Sequence, residues 1–166
     1  NNLFYAETIE ATNPCGEQPL PPYGACLLGS FNLVKYMERA NQHKDYYTFN
    51  YTQFKMDIPH VVRAMDNVID RTQYPLEAQK KEAIAKRRMG LGITGLANIL
   101  TLMNIRYGSA EAVRYTRKIT KTLMCGAYET SSLLAKEKGP FPLYTEEYHA
   151  SKFIQRLPLD IQDLIK

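Results

Sequence analysis

Between Asn13 and Ala25 the chain carries four prolines and two glycines, and that spacing keeps both a helix and an interior strand out of the segment. Each proline removes a backbone donor and fixes φ. Pro14 biases Asn13 toward extended geometry, and Gly16 lets the chain turn sharply or pack closely directly behind Cys15. The result is a stiff loop that presents Asn13, Cys15 and Glu17 from a short run of constrained backbone.

That trio limits the chemistry. A carboxylate two residues beyond a thiol raises the thiol pKa and disfavours the thiolate, so Cys15 is poorly arranged for polar nucleophilic attack. A neutral S–H can instead lose a hydrogen atom to give a thiyl radical, while Glu17 and Asn13 hold and deprotonate a substrate hydroxyl. Cys26 can supply reducing equivalents. By spacing alone, Cys15 and Cys26 read equally well as small buried residues.

The stretch Asn13-Pro-Cys-Gly-Glu-Gln-Pro-Leu-Pro-Pro-Tyr-Gly-Ala-Cys26, continuing into Leu27-Leu-Gly-Ser-Phe-Asn-Leu33, resembles the active-site finger loop of the catalytic chain of ribonucleotide reductase. The similarity resumes at Arg87-Arg-Met-Gly-Leu-Gly-Ile-Thr-Gly-Leu-Ala97 and at Glu137-Lys-Gly-Pro-Phe-Pro142. The short Cys15 to Cys26 spacing and the Pro-Leu-Pro-Pro-Tyr insert look most like the adenosylcobalamin-dependent class II branch. In the other branch a di-metal partner subunit supplies the radical.

The resemblance implies an α/β fold, part of a ten-stranded α/β barrel built from two half-barrels, with the loop tip inside it. Residues 1–166 are then one partial catalytic-barrel domain, with a finger loop at about 11–25 and a barrel strand and helices over 26–166. It also implies roles: Cys15 as the thiyl radical that removes the ribose 3′ hydrogen, Glu17 as base on the 3′ hydroxyl, and Asn13 as the group that binds substrate and orients Glu17. Cys26 is implied as half of the dithiol that reduces the 2′ position. The substrate would be a ribonucleoside di- or triphosphate and the reductant a dithiol such as thioredoxin. The second cysteine of the pair would lie upstream of Asn1 and the family's phosphate-binding loop beyond Lys166, so the chain is expected to be a central piece of a larger enzyme. The alternative is a non-catalytic association module that completes a split reductase with other chains.

Composition narrows the other classes. A chain of 166 residues that is 45% hydrophobic can bury one core. Mean hydropathy of −0.38, with no apolar run near membrane-spanning length, predicts no transmembrane helix, and no secretory leader is visible. Three widely spaced cysteines are not a secreted disulfide framework, which makes a cytoplasmic location the expectation. The formal charge of +4 is spread among acids and predicts no nucleic-acid binding. The run Lys80, Lys81, Lys86, Arg87 and Arg88 reads as a solvated helix face, with a phosphate or subunit contact as the alternative. Cys15, Cys26, Cys125, His43, His60 and His149 show no metal-binding spacing, so no metal site is predicted. The histidines read as surface or packing residues.

Local patterns give the remaining elements. Residues 3 to 10 read as an extended lead, Ala25 to Met37 as a buried strand, and Glu38 to Phe54 as a long connection in which Tyr46 and Tyr47 pack. Pro59 is expected in the first turn of an amphipathic helix over Val61, Val62, Met65, Val68 and Ile69, ending near Thr72. Glu77 to Lys86 reads as a helix. Gly90-Leu-Gly-Ile-Thr-Gly95 fits a dinucleotide-binding fingerprint but lacks the preceding apolar strand, so it reads as a short barrel strand followed by a helix over 96–103. Ser109 to Lys138 reads as one long helix ended by Gly139-Pro140, with Cys125 packed inside it. Short helices are expected at 145–155 and 159–165, the last docked by Leu157, Ile161 and Leu164.

Overall fold

The computed structural model describes residues 1–41 and 44–166, with the side chains of residues 41 and 44–46 left aside. The readings made for His43 and for the Tyr46 side chain therefore lie outside the described residues. In chain order the elements are β1 (Ala11–Thr12), β2 (Pro19–Leu20), β3 (Leu27–Asn32), a 3-10 turn (Leu33–Tyr36), β4 (Met37–Asn41), β5 (Lys44–Phe49), α1 (Tyr51–Arg71), α2 (Glu77–Lys86), β6 (Met89–Thr94), α3 (Leu96–Leu102), α4 (Ala110–Lys138), two 3-10 turns (Glu146–Ala150 and Ile154–Arg156) and α5 (Leu159–Ile165).

The centre is a parallel pair. β3 and β6 run in register from Leu27 opposite Met89 to Asn32 opposite Thr94, and a parallel pair needs a crossover, which α1 and α2 provide. The expected strand Ala25 to Met37 is shorter and more open than predicted. Asn32 stops it by accepting the Val34 N–H on its side chain at 3.1 Å, which caps the 3-10 turn. The strand alternates: Phe31 is buried, whereas Leu28 is 53% exposed and Ser30 and Asn32 face out. Met89, Leu91 and Ile93 of β6 pack on the buried side with Phe31. One face of the pair thus meets the helices, and the other, bearing Leu28, Ser30, Asn32, Gly90, Gly92 and Thr94, is open.

Residues 38–54 are not a long connection. β4 and β5 form an antiparallel hairpin, Met37 opposite Phe49, and Tyr47 packs under the Arg39 guanidinium at 5.8 Å. Helix α1 then begins at Tyr51, eight residues before Pro59, because the Asn50 side chain accepts the Gln53 N–H at 2.8 Å. Pro59 sits inside this helix and withholds one backbone donor, a cost of about 3 kcal/mol. The stripe Phe54, Ile58, Val62, Met65 and Ile69 runs through it, all buried. At about 1.5–3 kcal/mol for each fully buried apolar side chain, that stripe outweighs the lost bond. Val68 lies off the stripe and is 45% exposed. Phe54 is enclosed by Phe31, Tyr36 and Phe49, with ring centroids 5.2, 5.0 and 5.4 Å away. Tyr36 also donates to Asp57 at 3.0 Å, and its pKa is pushed up to about 12, first by burial and then by that carboxylate.

Helix α4 crosses α1 closely at Gly126, where a Cβ would come within 3.2 Å of Ile58. Its N-terminus is capped by Ser109, which accepts the Ala112 N–H at 3.1 Å, and it ends at Gly139, φ +89°. A satellite core of Ile154, Leu157 and Ile161 docks α5 against α4, with Cys125 and Leu164 partly buried beside it. Residues 145–155 form two 3-10 turns in place of one helix. The lead segment is likewise not simply extended: Ala6 and Glu7 both donate to the Leu3 carbonyl in a turn before the chain straightens.

Candidate active site

The segment from Ala11 to Leu20 is a small hairpin closed by side chains as much as by its two-residue strands. Ala11 pairs with Leu20 and Thr12 with Pro19. Inside them the Asn13 N–H donates to the Gln18 carbonyl at 3.3 Å, and the Gly16 N–H donates to the Asn13 carbonyl at 3.0 Å, closing a β-turn with Pro14 and Cys15 at its centre. Gly16 follows at φ +78°, a left-handed position that favours glycine.

The Asn13 amide is used at both ends. Its Oδ1 accepts the Gln18 N–H at 3.0 Å, which turns its Nδ2 toward Glu17, and the Glu17 carboxylate accepts from it. Asn13 and Glu17 are therefore brought together, and Cys15, which lies between them in the sequence, is exposed at the centre of the turn. A carboxylate aligned by an amide, beside an uncovered thiol, can take a proton from a hydroxyl held at that thiol.

Cys26 stands elsewhere, at the head of β3 and on its open face. A Cβ on Gly90 of the neighbouring strand would collide with the Leu28 side chain at 2.5 Å and sit in ordinary contact with the Cys26 sulfur at 3.4 Å, so glycine there makes room for Leu28 beside the thiol. Its S–H donates to the Leu27 carbonyl at 3.7 Å. Burial pushes this thiol up in pKa, and the Arg88 guanidinium pulls it back in part. Among the described residues no hydrogen bond joins Cys26 to the Asn13–Glu17 turn.

The basic run read as a solvated face is corrected by the structure. Lys80 and Lys81 are exposed, but Lys86 is buried, and its ammonium meets Glu7 at 2.7 Å and Glu82 at 2.5 Å. Arg87 turns inward and binds Asp66 and Asp70, each at 2.6 Å. Arg88 pairs with Glu7. The inward turn follows from Arg87 adopting a left-handed conformation, φ +47°, at the end of α2. Burial alone would raise the Glu7 pKa, yet hydrogen bonds and charge from Lys86 and Arg88 outweigh it and hold the carboxyl below its ordinary value. Sequence reasoning missed Glu7, because nothing local pairs it with residues some eighty positions away.

Among the described residues no three His, Cys, Asp or Glu side chains are placed to hold a metal ion, and no helix is long and apolar enough to cross a membrane. His60 is exposed, and His149 packs on Tyr144 through a 2.8 Å hydrogen bond. A cavity of about 630 Å³ lies between β6, α4 and the N-terminal segment and is lined by none of Asn13, Cys15, Glu17 or Cys26.

Comparison with known proteins adds to this geometry. The family model described as "Ribonucleotide reductase, barrel domain" matches residues 1–159. The chain is 39% identical to the vitamin B12-dependent ribonucleoside-diphosphate reductase of Mycobacterium tuberculosis (strain ATCC 25618 / H37Rv), over 86% of this chain and 19% of that protein. It is 38% identical to the protein of the same description from Thermoplasma acidophilum, over 82% of this chain and 17% of the relative. The ribonucleoside-diphosphate reductase subunit alpha of Chlamydia pneumoniae is 34% identical over 100% of this chain and 15% of its own length. The chain thus spans no more than about a fifth of these relatives.

Proposed function

The chain belongs to the ribonucleotide reductase barrel-domain family, and on that premise we propose that residues 11–26 carry the thiyl-radical reduction of ribonucleotides to deoxyribonucleotides. The observation that carries the reading is the turn that holds the Glu17 carboxylate on the Asn13 amide and leaves the Cys15 thiol, two residues from each, uncovered. The Cys15 thiyl radical takes the ribose 3′ hydrogen atom, and Glu17 takes the 3′ hydroxyl proton while Asn13 orients it. The 2′ hydroxyl leaves as water with a proton from the thiol pair, whose second hydrogen fills the 2′ carbon. Two thiols, Cys26 and a second cysteine, deliver two electrons and become a disulfide, after which Cys15 returns its hydrogen to the 3′ carbon. A dithiol such as thioredoxin resets the disulfide. The relatives' names make a ribonucleoside diphosphate the favoured substrate.

In this reading residues 1–166 form one part of a catalytic α/β barrel of ten strands. β3 and β6 are neighbouring parallel strands whose open face looks into the barrel, and residues 11–25 are the finger that reaches into it. The vitamin B12-dependent relatives favour adenosylcobalamin as the radical source; when bound, it supplies the abstraction that converts a thiol S–H to a thiyl radical. An exposed Cys15 suits such a source. Among the described residues Cys15 lines none of the four cavities that open beside β6, α4 and α5.

The decisive experiment is Cys15→Ser in the intact protein. Nucleotide reduction is expected to vanish while substrate affinity stays near that of the parent; retained turnover would show that the reading is wrong. For Cys26→Ser, an external dithiol is expected to sustain no more than a single turnover, and an unchanged steady-state rate would remove Cys26 from the reductant role.

A further inference from the structure

Both roots of the 11–25 loop end on the same short segment. At the entering root, Glu7 has a side chain only 3% exposed, and it is shared by the Lys86 ammonium and the Arg88 guanidinium. At the leaving root, directly after Cys26, the Leu27 N–H donates to the Arg88 carbonyl at 3.2 Å. Glu82 completes the cluster, 2.5 Å from Lys86 and 3.6 Å from Arg88. Two cations and two carboxylates balance one another. Removing one partner from such a buried set leaves an uncompensated charge, which is far more costly than the intact set is stabilising, so its members hold or release together.

We propose that the Glu7–Lys86–Arg88 cluster is the latch that seats the loop, and that Arg88 is a positioning residue for Cys26. Its carbonyl fixes the backbone beside the thiol, and its guanidinium acts on the sulfur with a charge that Glu7 holds in check. The proposal rests on the reading of Cys26 as a redox thiol, because only a thiol that must react makes the nearby cation matter. The charged groups gathered at this corner are Arg88 ahead of β6, Lys86 and Glu82 on α2, and Glu7 on the N-terminal segment. Of these, Arg88 is the one set beside Cys26: the two residues directly precede the paired Leu27 and Met89, the Leu27 N–H is bound to the Arg88 carbonyl, and the Cys26 sulfur lies against Gly90, two residues on from Arg88, so the guanidinium charge opposes the rise that burial gives the thiol. Glu7 acts through it.

The test is the pH profile of thiol alkylation in the reduced, intact protein, read peptide by peptide by mass spectrometry with iodoacetamide as the probe. Glu7→Gln uncovers the Arg88 charge and is expected to raise Cys26 alkylation at pH 8 about threefold, since the rate follows the thiolate fraction. Arg88→Met is expected to lower it about threefold, and Arg88→Lys to return it close to the parent value. The double variant Glu7→Gln/Arg88→Met is expected to match Arg88→Met. Cys125, packed in the satellite core, reports on the fold as a whole and is expected to keep its rate. Superimposable Cys26 profiles across the single variants would overturn the proposal. Should Glu7→Gln loosen the whole molecule, seen as Cys125 reacting in step, the two Arg88 variants decide: equal Cys26 profiles for Arg88→Met and Arg88→Lys would overturn it. Failure here is separable from failure of the functional reading, because turnover by Cys15→Ser leaves the alkylation result untouched.

Discussion

The 11–25 loop and the α1–α4 layer are held by opposite means. In the layer, Phe54, Ile58 and Ile119 are fully buried and the aromatic rings around Phe54 lock edge to face. The loop buries little. Cys15 and Glu17 are exposed, its strands are two residues long, and its shape comes from proline restraint plus the hydrogen bonds of Asn13. The proposed reacting groups thus stand on a loop that buries little, apart from the apolar side chains that form the core. The Glu7–Lys86–Arg88 cluster is the joint between the two.

That division can be broken or sharpened, and the largest effect is expected in the loop. Glu17→Gln removes the proposed proton acceptor and is expected to lower turnover by about 10²–10⁴-fold while leaving the thermal midpoint unchanged; a comparable fall in the midpoint would show that the loop does carry stability. Phe54→Ala is the converse. It should cost about 3–5 kcal/mol in denaturant unfolding, with Cys15 alkylation below the transition unchanged, and a faster Cys15 would mean that loop and layer are coupled.

A smaller effect is expected at the joint. The Glu7 carboxyl is held below its ordinary pKa, so its contribution is present at neutral pH and is lost as the pH falls through the carboxylate range and past the folded value. Exchange of the Leu27 amide, corrected for its intrinsic pH dependence, should therefore quicken in acid before that of core amides such as Ile119. Simultaneous loss would deny the joint its independence. The smallest effect is expected from Arg63→Ala. This residue makes a two-pronged but exposed pair with Glu137, and such pairs contribute little; a clear drop in midpoint would mean that the α1–α4 surface matters more than its burial suggests.

Much of this was legible in the residues themselves. The proline and glycine spacing marked the loop, the glycines of β6 marked a strand with close neighbours, and α2, α3 and α4 followed from periodicity, Ser109 and Gly139. The proline that looked like a helix start was misleading, because the signal that begins α1 is Asn50, an N-cap hidden in a polar stretch. The predicted long connection is a hairpin for a similar reason: Met37 and Phe49 pair across the turn, and neither carries a strong local sign of doing so.

By itself the sequence determined the stiffness of the 11–25 loop and the order of chemical groups along it, because proline, glycine and neighbouring side chains act within a few residues. Only the tertiary structure decided that Glu7 meets Lys86 and Arg88, that Cys26 falls on the open face of the parallel pair, and that the end of a run of positive charge, Lys86 to Arg88, turns inward while Lys80 and Lys81 stay exposed. Those outcomes depend on which distant segments share a desolvated corner, and the electrostatics of that corner exist only once the chain has closed around it.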